Sequence, residues 1–520
     1  MQLGFVLDMT RCIGCHACTV ACKSENDVPL GDFRTWVKYT EEGNFPEVKR
    51  SFTVLRCNQC TEAPCVTICP VTALDKRTDG IVDIDHDICI GCKACMQGCP
   101  YDAIYLNESS GTAEKCHFCA HRVEQGLAPA CAVVCPTEAI VPGDFHDANS
   151  RVSTMAHDFD LKVRKPEAGT KPNVMYRDAS AAGIDPALTN AAGGFLWSQQ
   201  SAGPQMDAEL FNAMEDQAES EHSARTTYDV NRQPLWGSAI TGYLFFKSLA
   251  AGVFLVGTAL LSPFGLEAVD GEFSGVRAPI AVPVLASIFL GLTLVLLVAD
   301  LKRPERFLKI MLRPNWDSWL AKGSFILMGY GMMLFTWLVL GLLGYSPSGA
   351  LGWGLSLLTM LLGGLSAAYT AWLFAQAKGR VLWMKRGYAV HLLAQAVVAG
   401  SACLLAMSGL LELSPAATKL FGDVLLVSLL MHAVLTTSEG RMAPVGREEE
   451  FGRVVRLLKH GPYARRHWIA GLGVGVVLPL VLLFVASSGP LLIVAGVLAL
   501  AGLYVEKDCF VRAGQALKIS

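Results

Sequence analysis

Hydrophobic and polar positions divide the chain at about residue 236. Beyond that point eight apolar stretches follow one another, and each is close to the roughly 20 residues that a helix needs to cross a bilayer. They span 237–262, 278–300, 321–344, 351–376, 387–408, 419–438, 468–488 and 490–511. This pattern predicts an all-α membrane domain of eight transmembrane helices within residues 236–520.

The polar part before residue 236 differs in composition. It holds 16 of the 18 cysteines of the chain, all of them before residue 136. Over the whole chain 52% of residues are hydrophobic and only 17% are charged, which agrees with membrane spans. The net charge of −3 gives no indication of a nucleic-acid partner.

The opening residues, "MQLGFVLDMT", contain neither the charged region nor the apolar run of a signal peptide, and we find no twin-arginine motif. We therefore expect reducing surroundings for the cysteines. In such a compartment cysteines serve metals or redox chemistry rather than disulfides.

The sixteen cysteines form four groups of four. Two groups have the spacing C-x2-C-x2-C-x3-C, and the other two have x4 or x11 between the second and third cysteine. The groups are Cys12, Cys15, Cys18 and Cys22; Cys57, Cys60, Cys65 and Cys69; Cys89, Cys92, Cys95 and Cys99; and Cys116, Cys119, Cys131 and Cys135. Three closely spaced thiolates can bind one iron–sulfur cube, while the fourth reaches the cube of a partner group.

The spacing therefore predicts four [4Fe–4S] clusters. Structural zinc is the alternative, but zinc sites usually combine two C-x2-C pairs, which fits groups of three plus one poorly.

Residues 3–145, including "CPTEAIVPGD" after the last group, resemble the four-cluster ferredoxin subunits of molybdopterin oxidoreductases such as dimethyl sulfoxide reductase and polysulfide reductase. The resemblance implies an α+β ferredoxin-like domain at 1–145 in which the groups pair in a nested way. One outer cluster would take Cys12, Cys15, Cys18 and Cys135, and the other Cys116, Cys119, Cys131 and Cys22. The inner pair would take Cys57, Cys60, Cys65 and Cys99, and Cys89, Cys92, Cys95 and Cys69.

Residues 146–235 lack a strong hydrophobic period and are expected to form a connector. The segment 207–222 could form a short acidic helix. Two interpretations stay open for the rest, an extended segment that lies over a partner subunit and a loose linker.

The membrane half carries three distinctive junctions: "DLKRPERF" at 300–307, "YTAWLFAQAKGRVLW" at 369–383 and "CFVRAGQ" at 509–515. Together they resemble the NrfD/PsrC family, the quinone-reactive membrane subunits of polysulfide reductase and its relatives, over residues 236–516. The resemblance implies two four-helix bundles without haem. The membrane histidines, His391 and His432, are too few to ligate two haems.

Polar side chains inside predicted spans are costly in lipid and are usually functional. They are Tyr243 and Lys247 in the first span, Tyr369 in the fourth, His391 and Gln395 in the fifth, and a stripe of Ser428, His432, Thr436 and Glu439 in the sixth. All lie in the membrane half nearest the amino-terminal domain, whereas Asp423 points to the opposite face of its helix. We expect at least three of them to line one quinone and proton site.

In that site the resemblance to polysulfide reductase favours Tyr243, Lys247 and Tyr369 as quinone-binding residues, and we add Gln395. The titratable or relaying groups for protons would be His391, His432 and Glu439. The alternatives are that Lys247 extends its amine to the membrane surface and that His432 only satisfies a helix contact.

We interpret the chain as a natural fusion of an iron–sulfur subunit with a membrane-anchor subunit. It would carry electrons between a separate molybdopterin catalytic subunit, with molybdenum or tungsten, and the menaquinone or ubiquinone pool. One alternative is a quinol dehydrogenase module of a cytochrome-linked complex, of the nitrite reductase or alternative complex III type. A transporter or ion pump is disfavoured because the far membrane half offers few polar groups beyond Asp423.

The distribution of basic residues predicts the orientation in a prokaryotic cytoplasmic membrane. Eight spans place both ends of the membrane domain on one face, where the loops 300–322, 378–386 and 439–467 and the carboxyl tail hold twenty Lys and Arg residues. The opposite loops offer only Arg277 and Lys419. We therefore expect the iron–sulfur domain on the cytoplasmic face.

Overall fold

The computed structural model describes residues 1–43, 46–189, 224–230, 235–261, 272–273, 276–345, 347, 349–485 and 490–520. The acidic helix predicted at 207–222 lies outside the described residues.

The amino-terminal domain is α+β, as the resemblance implied. Its strands, with the one that follows at 224, are β1 Leu3–Asp8, β2 Thr35–Glu42, β3 Lys49–Arg56, β4 Leu74–Lys76, β5 Val82–Ile84, β6 Ile104–Asn107, β7 Thr112–Lys115, β8 Ile140–Asp144, β9 Leu161–Lys162, β10 Val174–Arg177 and β11 Ala224–Tyr228. Its helices are α1 Ala17–Glu25, α2 Pro64–Ile68, α3 Ala94–Gly98, α4 Ala120–Val123, α5 Ala130–Val133, α6 Arg151–Asp158 and α7 Ala181–Ile184.

The central sheet of this domain has the strand order β8-β1-β10-β9. β1 is buried along nearly its whole length and pairs antiparallel with β8 and parallel with β10, where Phe5 faces Val174. β9 and β10 lie within the predicted connector. Because they belong to this sheet, we propose that the iron–sulfur domain extends beyond residue 145 to residue 189.

The remaining strands form smaller sheets. β2 pairs with β3 and β11, while β4–β5 and β6–β7 are two-stranded. A further strand pair, β12 Glu272–Phe273 and β13 Val276–Arg277, precedes the second membrane helix.

Two repeats of the sequence C-I-G-C explain how the chain winds around its cysteines. Gly14 and Gly91 both have left-handed backbone conformations, with φ of 70° and 66°. At Gly91 a Cβ atom would lie 2.5 Å from the carbonyl oxygen of Gly111. His16 and Lys93 are also left-handed and start the short helices α1 and α3. This left-handed winding lets the chain turn tightly between neighbouring cysteines.

Among its described residues the membrane half contains eight helices that are long and apolar enough to cross a membrane, so the predicted number of candidate spans is confirmed. Its helices are α8 Ser238–Gly257, α9 Ala278–Ala299, α10 Lys309–Leu312, α11 Trp319–Leu342, α12 Gly349–Gln376, α13 Tyr388–Ala406, α14 Pro415–Thr437, α15 Glu448–Lys459, α16 Leu478–Val485 and α17 Pro490–Ala513. A π-helical segment, Arg466–Val477, leads into α16.

Helix α8 connects the first four spanning helices to the last four. It packs against α9, α12 and α13. At its crossing with α13, a Cβ atom on Gly400 would lie 2.1 Å from the backbone of Gly252, so the two helices touch through their backbones. The division into two bundles of four stays a proposal.

Candidate functional site

The cysteines of one predicted inner set surround a single cavity. Cys57, Cys60, Cys65 and Cys99 all line it, although Cys99 lies more than thirty residues from the other three in sequence. The nested arrangement therefore places the fourth cysteine of one group beside three cysteines of another.

One predicted outer set lies around a second cavity. Cys116, Cys119 and Cys131 line it together with Cys22, and Arg34 and Arg56 line it as well. Burial lowers the pKa of His117, another lining residue, to about 4, so this imidazole is neutral at neutral pH.

Thiols of the other outer set, which includes Cys12 and Cys135, also lie near one another. Burial raises the pKa of the Cys12 thiol, and the neighbouring thiolates of Cys135 and Cys15 raise it further. Burial is also the main cause of the raised pKa of Cys18. The neighbouring Cys12 contributes to this increase. Cys15 is exposed, unlike most of the cysteines.

The last set shows the same proximity. Burial raises the pKa of Cys92, and the thiolates of Cys69 and Cys89 raise it further. Cys95 has the same neighbours. Two nested sets thus each surround a cavity, and the thiols of the other two sets lie close enough to influence one another. Cluster binding by all four sets stays a prediction.

The donor chemistry of these sets fits iron–sulfur clusters. Burial raises the pKa of the Cys99 thiol to about 11, so without a metal this group would stay protonated and buried. Iron binds the thiolate form and thereby removes the proton. Four such thiols around one cavity match the ligand demand of one [4Fe–4S] cluster.

The inner motifs lie directly on the segment that connects the spanning helices α9 and α11. Arg306 Nη1 donates to the carbonyl oxygen of Cys89 at 2.9 Å, and Asn315 Nδ2 donates to that of Cys69 at 2.8 Å. The amine of Lys93 pairs with Asp300 at 3.0 Å. The inner cysteine sets are therefore nearer the membrane than the outer sets.

A second contact joins α3 to the carboxyl-terminal helix. Gln97 accepts from Arg380 Nε at 2.7 Å and donates to Gln515 Oε1 at 3.0 Å. At Gly379 a Cβ atom would lie 2.6 Å from the carbonyl oxygen of Cys99. The inner cysteine motif therefore packs in direct backbone contact with the junction after α12.

Beneath this junction lies a buried hydrogen-bonded group, which we call the tyrosine–lysine group: Tyr243, Lys247, Tyr369 and Thr370. The hydroxyls of Tyr243 and Tyr369 are hydrogen-bonded, and Tyr243 lies 3.1 Å from Thr370 Oγ1. Lys247 donates to Thr370 and lies 4.5 Å from the centre of the Tyr369 ring. The structure thus brings together three predicted quinone residues and adds Thr370.

Lys247 does not extend to the membrane surface. Its side chain is buried, and among the described residues no carboxylate forms an ion pair with it. Gly323 on α11 allows the Tyr369 ring to pack closely, because a Cβ atom there would lie 2.0 Å from Cε2 of the ring.

The other predicted residues form a separate buried group in the last four helices. We call it the histidine group. Its members are Lys385, His391, Gln395, His432, Thr436, Glu439, Glu506 and Lys507, all buried. Glu439 lies in a short turn, Ser438–Arg441, just after α14.

The contacts of the histidine group form a continuous chain. Lys385 Nζ lies 2.5 Å from Glu439 Oε1 and 3.0 Å from His391 Nδ1. His391 Nε2 lies 3.2 Å from His432 Nδ1, and His432 Nε2 lies 2.5 Å from Glu506 Oε2.

This order assigns the protons on both rings. Because Lys385 donates to Nδ1 of His391, a neutral His391 carries its proton on Nε2 and donates to His432. His432 then donates from its own Nε2 to Glu506. The four side chains can pass a proton from ring to ring by exchanging donor and acceptor roles.

His391, His432 and Glu506 could also hold a metal ion, because one ligand atom of each lies within 4.8 Å of the others. The ammonium of Lys385, hydrogen-bonded to His391, opposes a cation there by charge. We therefore interpret this trio as a proton relay.

Four members of these groups were not predicted from the sequence. Lys385 and Lys507 count among the basic loop residues in the sequence, but the structure buries both: Lys385 pairs with Glu439, and Lys507 lies inside α17 and donates to Gln395 Oε1 at 2.6 Å. Glu506 and Lys507 are adjacent charges within a predicted span, which was a usable signal. Thr370 carried no comparable signal.

Several other basic loop residues contact the iron–sulfur domain. Besides Arg306, Lys302 pairs with Glu108 at 2.8 Å, and Arg303 donates to the carbonyl oxygen of Ser110 at 2.7 Å. These residues bind the iron–sulfur domain to the membrane domain. The number of basic residues in these loops therefore reflects this junction as well as the orientation of the protein in the membrane.

Comparison with known proteins agrees with this two-part construction. Residues 48–145 match the 4Fe-4S dicluster domain, and residues 226–518 match the family described as polysulphide reductase, NrfD. The second match covers more than half of the chain.

Individual relatives are components of reductases and match the amino-terminal part. The sequence is 44% identical to a subunit of tetrathionate reductase of Salmonella typhimurium over 203 residues, which is 38% of this chain and 80% of that protein. It is 37% identical to a component of polysulfide reductase of Wolinella succinogenes over 187 residues, 35% of this chain and 98% of that protein. It is 36% identical to the iron–sulfur subunit ArrB of the arsenate respiratory reductase of a Shewanella species over 224 residues, 34% of this chain and 96% of that protein.

Proposed function

Because the chain belongs to the polysulphide reductase NrfD family and carries a 4Fe-4S dicluster domain, we propose that it passes electrons between a molybdopterin catalytic subunit and membrane quinone. It is an iron–sulfur electron-transfer protein with a multi-pass membrane domain, related to subunits of reductase complexes. The four clusters, the quinone site and the catalytic partner are the proposed parts.

The four nested cysteine sets hold four [4Fe–4S] clusters in this proposal. When bound, the clusters supply one-electron carriers that are spaced from the exposed end of the domain to its membrane end. The inner sets hold the membrane end, and the set with Cys15 holds the exposed end.

The observation that carries the proposal is the junction between Gln97 and Arg380. It brings an inner cysteine motif against helices that enclose buried polar groups. Tyr369 lies seven residues before Gln376, the last residue of α12, which corresponds to about 10 Å of helix rise. The tyrosine–lysine group is therefore within a short electron-transfer distance of the domain face.

We assign quinone binding to the tyrosine–lysine group. Hydroxyls of Tyr243 and Tyr369 and the amine of Lys247 can donate to a quinone oxygen, and burial makes such hydrogen bonds stronger than in water. The quinone is menaquinone or ubiquinone.

We assign proton transfer to the histidine group. Quinone reduction takes up protons, and quinol oxidation releases them, so a route for protons must reach the pocket. His391, His432 and Glu439 were candidates from the sequence, and Lys385 and Glu506 complete the chain of contacts. Gln395 fits this group better than the quinone pocket, since it contacts Glu506 and Lys507.

The catalytic partner docks at the exposed end of the domain. Apolar side chains surround the Cys15 set there: Ile13, Val20 and Val133 are 57%, 64% and 61% exposed. An apolar surface of this kind next to an electron carrier is typical of a protein-binding site.

We keep the cytoplasmic orientation as part of the proposal. The basic residues that do not contact the iron–sulfur domain in the described structure, including Arg386 and Arg441, still lie on the domain side.

Anaerobic purification from native membranes tests the function. We expect a co-purifying subunit with molybdenum or tungsten, detected by elemental analysis, and quinone-dependent electron transfer through the complex. A c-type cytochrome partner in place of the metal and pterin would instead favour the quinol dehydrogenase module.

A further inference from the structure

A fully buried arginine lies at the outer cysteine sets. Arg56, the last residue of β3, is 0% exposed. Its Nη1 donates to Cys131 Sγ at 3.2 Å, and its guanidinium lies 4.3 Å from the centre of the Phe5 ring. Within the described residues, Nε and Nη2 have no hydrogen-bond partner.

The charge of Arg56 is not balanced by a carboxylate. No described Asp or Glu forms an ion pair with it, whereas Arg34, which lines the same cavity, pairs with Glu114 at 2.9 Å. An isolated buried cation is very costly, so native proteins pair it. The only anions that the described structure offers Arg56 are cysteine thiolates.

Those thiolates belong to both outer sets. Burial alone would lower the pKa of Arg56, but Cys131, Cys116 and Cys18 raise it. Cys131 and Cys116 lie in one nested set, and Cys18 lies in the other. Arg56 therefore lies where the two outer sets approach each other.

We propose that Arg56 sets the reduction potentials of both outer clusters by supplying a positive charge that the two clusters share and that no described carboxylate neutralises. The inference rests on the proposed ligand sets. The potential of an iron–sulfur cluster depends on net charge and on hydrogen bonds to its sulfurs. Reduction adds a negative charge, so a nearby cation stabilises the reduced form and raises the potential.

This placement has a consequence for electron flow. One cation that faces both clusters raises both potentials in the same direction, so it changes the difference between the two potentials little. Cys57 of an inner set directly follows Arg56 in the sequence, but the guanidinium donates to Cys131, so the inner potentials depend on Arg56 less than the outer ones do.

Redox titration of the full-length protein, followed by electron paramagnetic resonance, tests the inference. Arg56→Met keeps side-chain volume and removes the charge, while Arg56→Lys keeps the charge. In Arg56→Met we expect the equilibrium constant for reduction of the outer clusters to fall about tenfold, equivalent to about 59 mV for one electron. Arg56→Lys should move it much less, and the inner signals should move less than the outer ones.

Arg164 offers a matched control. It is also fully buried in the same domain, but it donates to the carbonyl oxygens of Ile184 and Ile519 and no cysteine contact is recorded for it among the described residues. Arg164→Met should leave the outer potentials unchanged. Equal shifts in Arg56→Met and Arg164→Met, or no shift in Arg56→Met, would overturn the inference.

Iron content decides the case in which a variant fails to assemble. Loss of only the outer iron in Arg56→Met, with full iron in Arg56→Lys, supports a requirement for the charge. Loss in both variants shows a steric role and overturns the inference. Failure of the proposed function is distinct, because then the unaltered protein itself would lack about sixteen irons.

Discussion

Lys385 and Glu439 form an ion pair of 2.5 Å whose side chains are only 1% and 3% exposed. The pair closes the end of the histidine group that faces the iron–sulfur domain. Through its second contact, Lys385 also fixes which ring nitrogen of His391 accepts a hydrogen bond.

Breaking this pair should destabilise the membrane domain. In Glu439→Gln the charge of Lys385 stays buried without its partner, and we expect the free energy of unfolding to fall by about 3–5 kcal/mol. Denaturant unfolding of the protein in detergent measures it. Glu449→Gln is the control, because its pair with Arg453 is exposed and should be worth about 1 kcal/mol or less. Equal effects in the two variants would contradict burial of the pair.

Tyr369→Phe should impair quinone turnover. It removes the hydroxyl that contacts Tyr243 and leaves the ring in place, so we expect about a tenfold loss of quinone-linked activity. Electron transfer to an artificial dye, accepted directly from the clusters, should barely change. Tyr345→Phe is the control, since Tyr345 is exposed beyond the far end of α11. Normal quinone kinetics in Tyr369→Phe would place the pocket elsewhere.

His432→Leu should interrupt the proton relay. It removes the ring that links His391 to Glu506 through hydrogen bonds and leaves only their direct approach of 3.7 Å, so proton transfer becomes rate-limiting, and we expect a larger solvent deuterium isotope effect on quinone turnover. Asp423→Asn, on the same helix but exposed, should keep the original isotope effect. An unchanged effect in both variants would show that protons take another route.

Cys92→Ser should remove one inner cluster. Iron per chain should fall from about sixteen to about twelve, with the outer pair largely intact. Iron and sulfide analysis with spectroscopy of the remaining clusters measures this. Cys403→Ser is the matched control, because this buried cysteine contacts Met407 and lies far from the four sets. An active preparation that holds zinc and no iron would end the cluster interpretation.

Fusions after Ser520 test the orientation. With the domain side in the cytoplasm, a green fluorescent protein fusion should fluoresce and an alkaline phosphatase fusion should be inactive. Active phosphatase with a dark fluorescent fusion would reverse the orientation.

Local patterns were enough to predict the eight spans and the four cysteine groups, whereas the nested sets came from the family resemblance. A transmembrane helix and a C-x2-C motif each depend on residues that are close together in the chain, so both can be recognised in a single sequence. Tyr243 and Lys247 were found for the same reason, since helical spacing places them on one face.

Contacts between helices could not be predicted in this way. In the sequence Lys385 resembles any loop lysine. Only the packing of the helices places it beside His391 and Glu439. Arg56 reads as the polar end of a strand, and only the nested folding of the outer sets buries it among thiols. The strands within the predicted connector gave no local signal, because β10 pairs with a strand more than 160 residues earlier.

The pairing of β1 with β10 also sets an order for biosynthesis. The central sheet is complete once Arg177 has been made, and 60 further residues separate it from Ser238, where the first membrane helix begins. Domains generally fold as units during synthesis, with the amino-terminal one first. The central sheet of the iron–sulfur domain can therefore close before the helices from Ser238 onward reach the bilayer. The insertion of these helices then follows the folding of a sheet that precedes them in the chain.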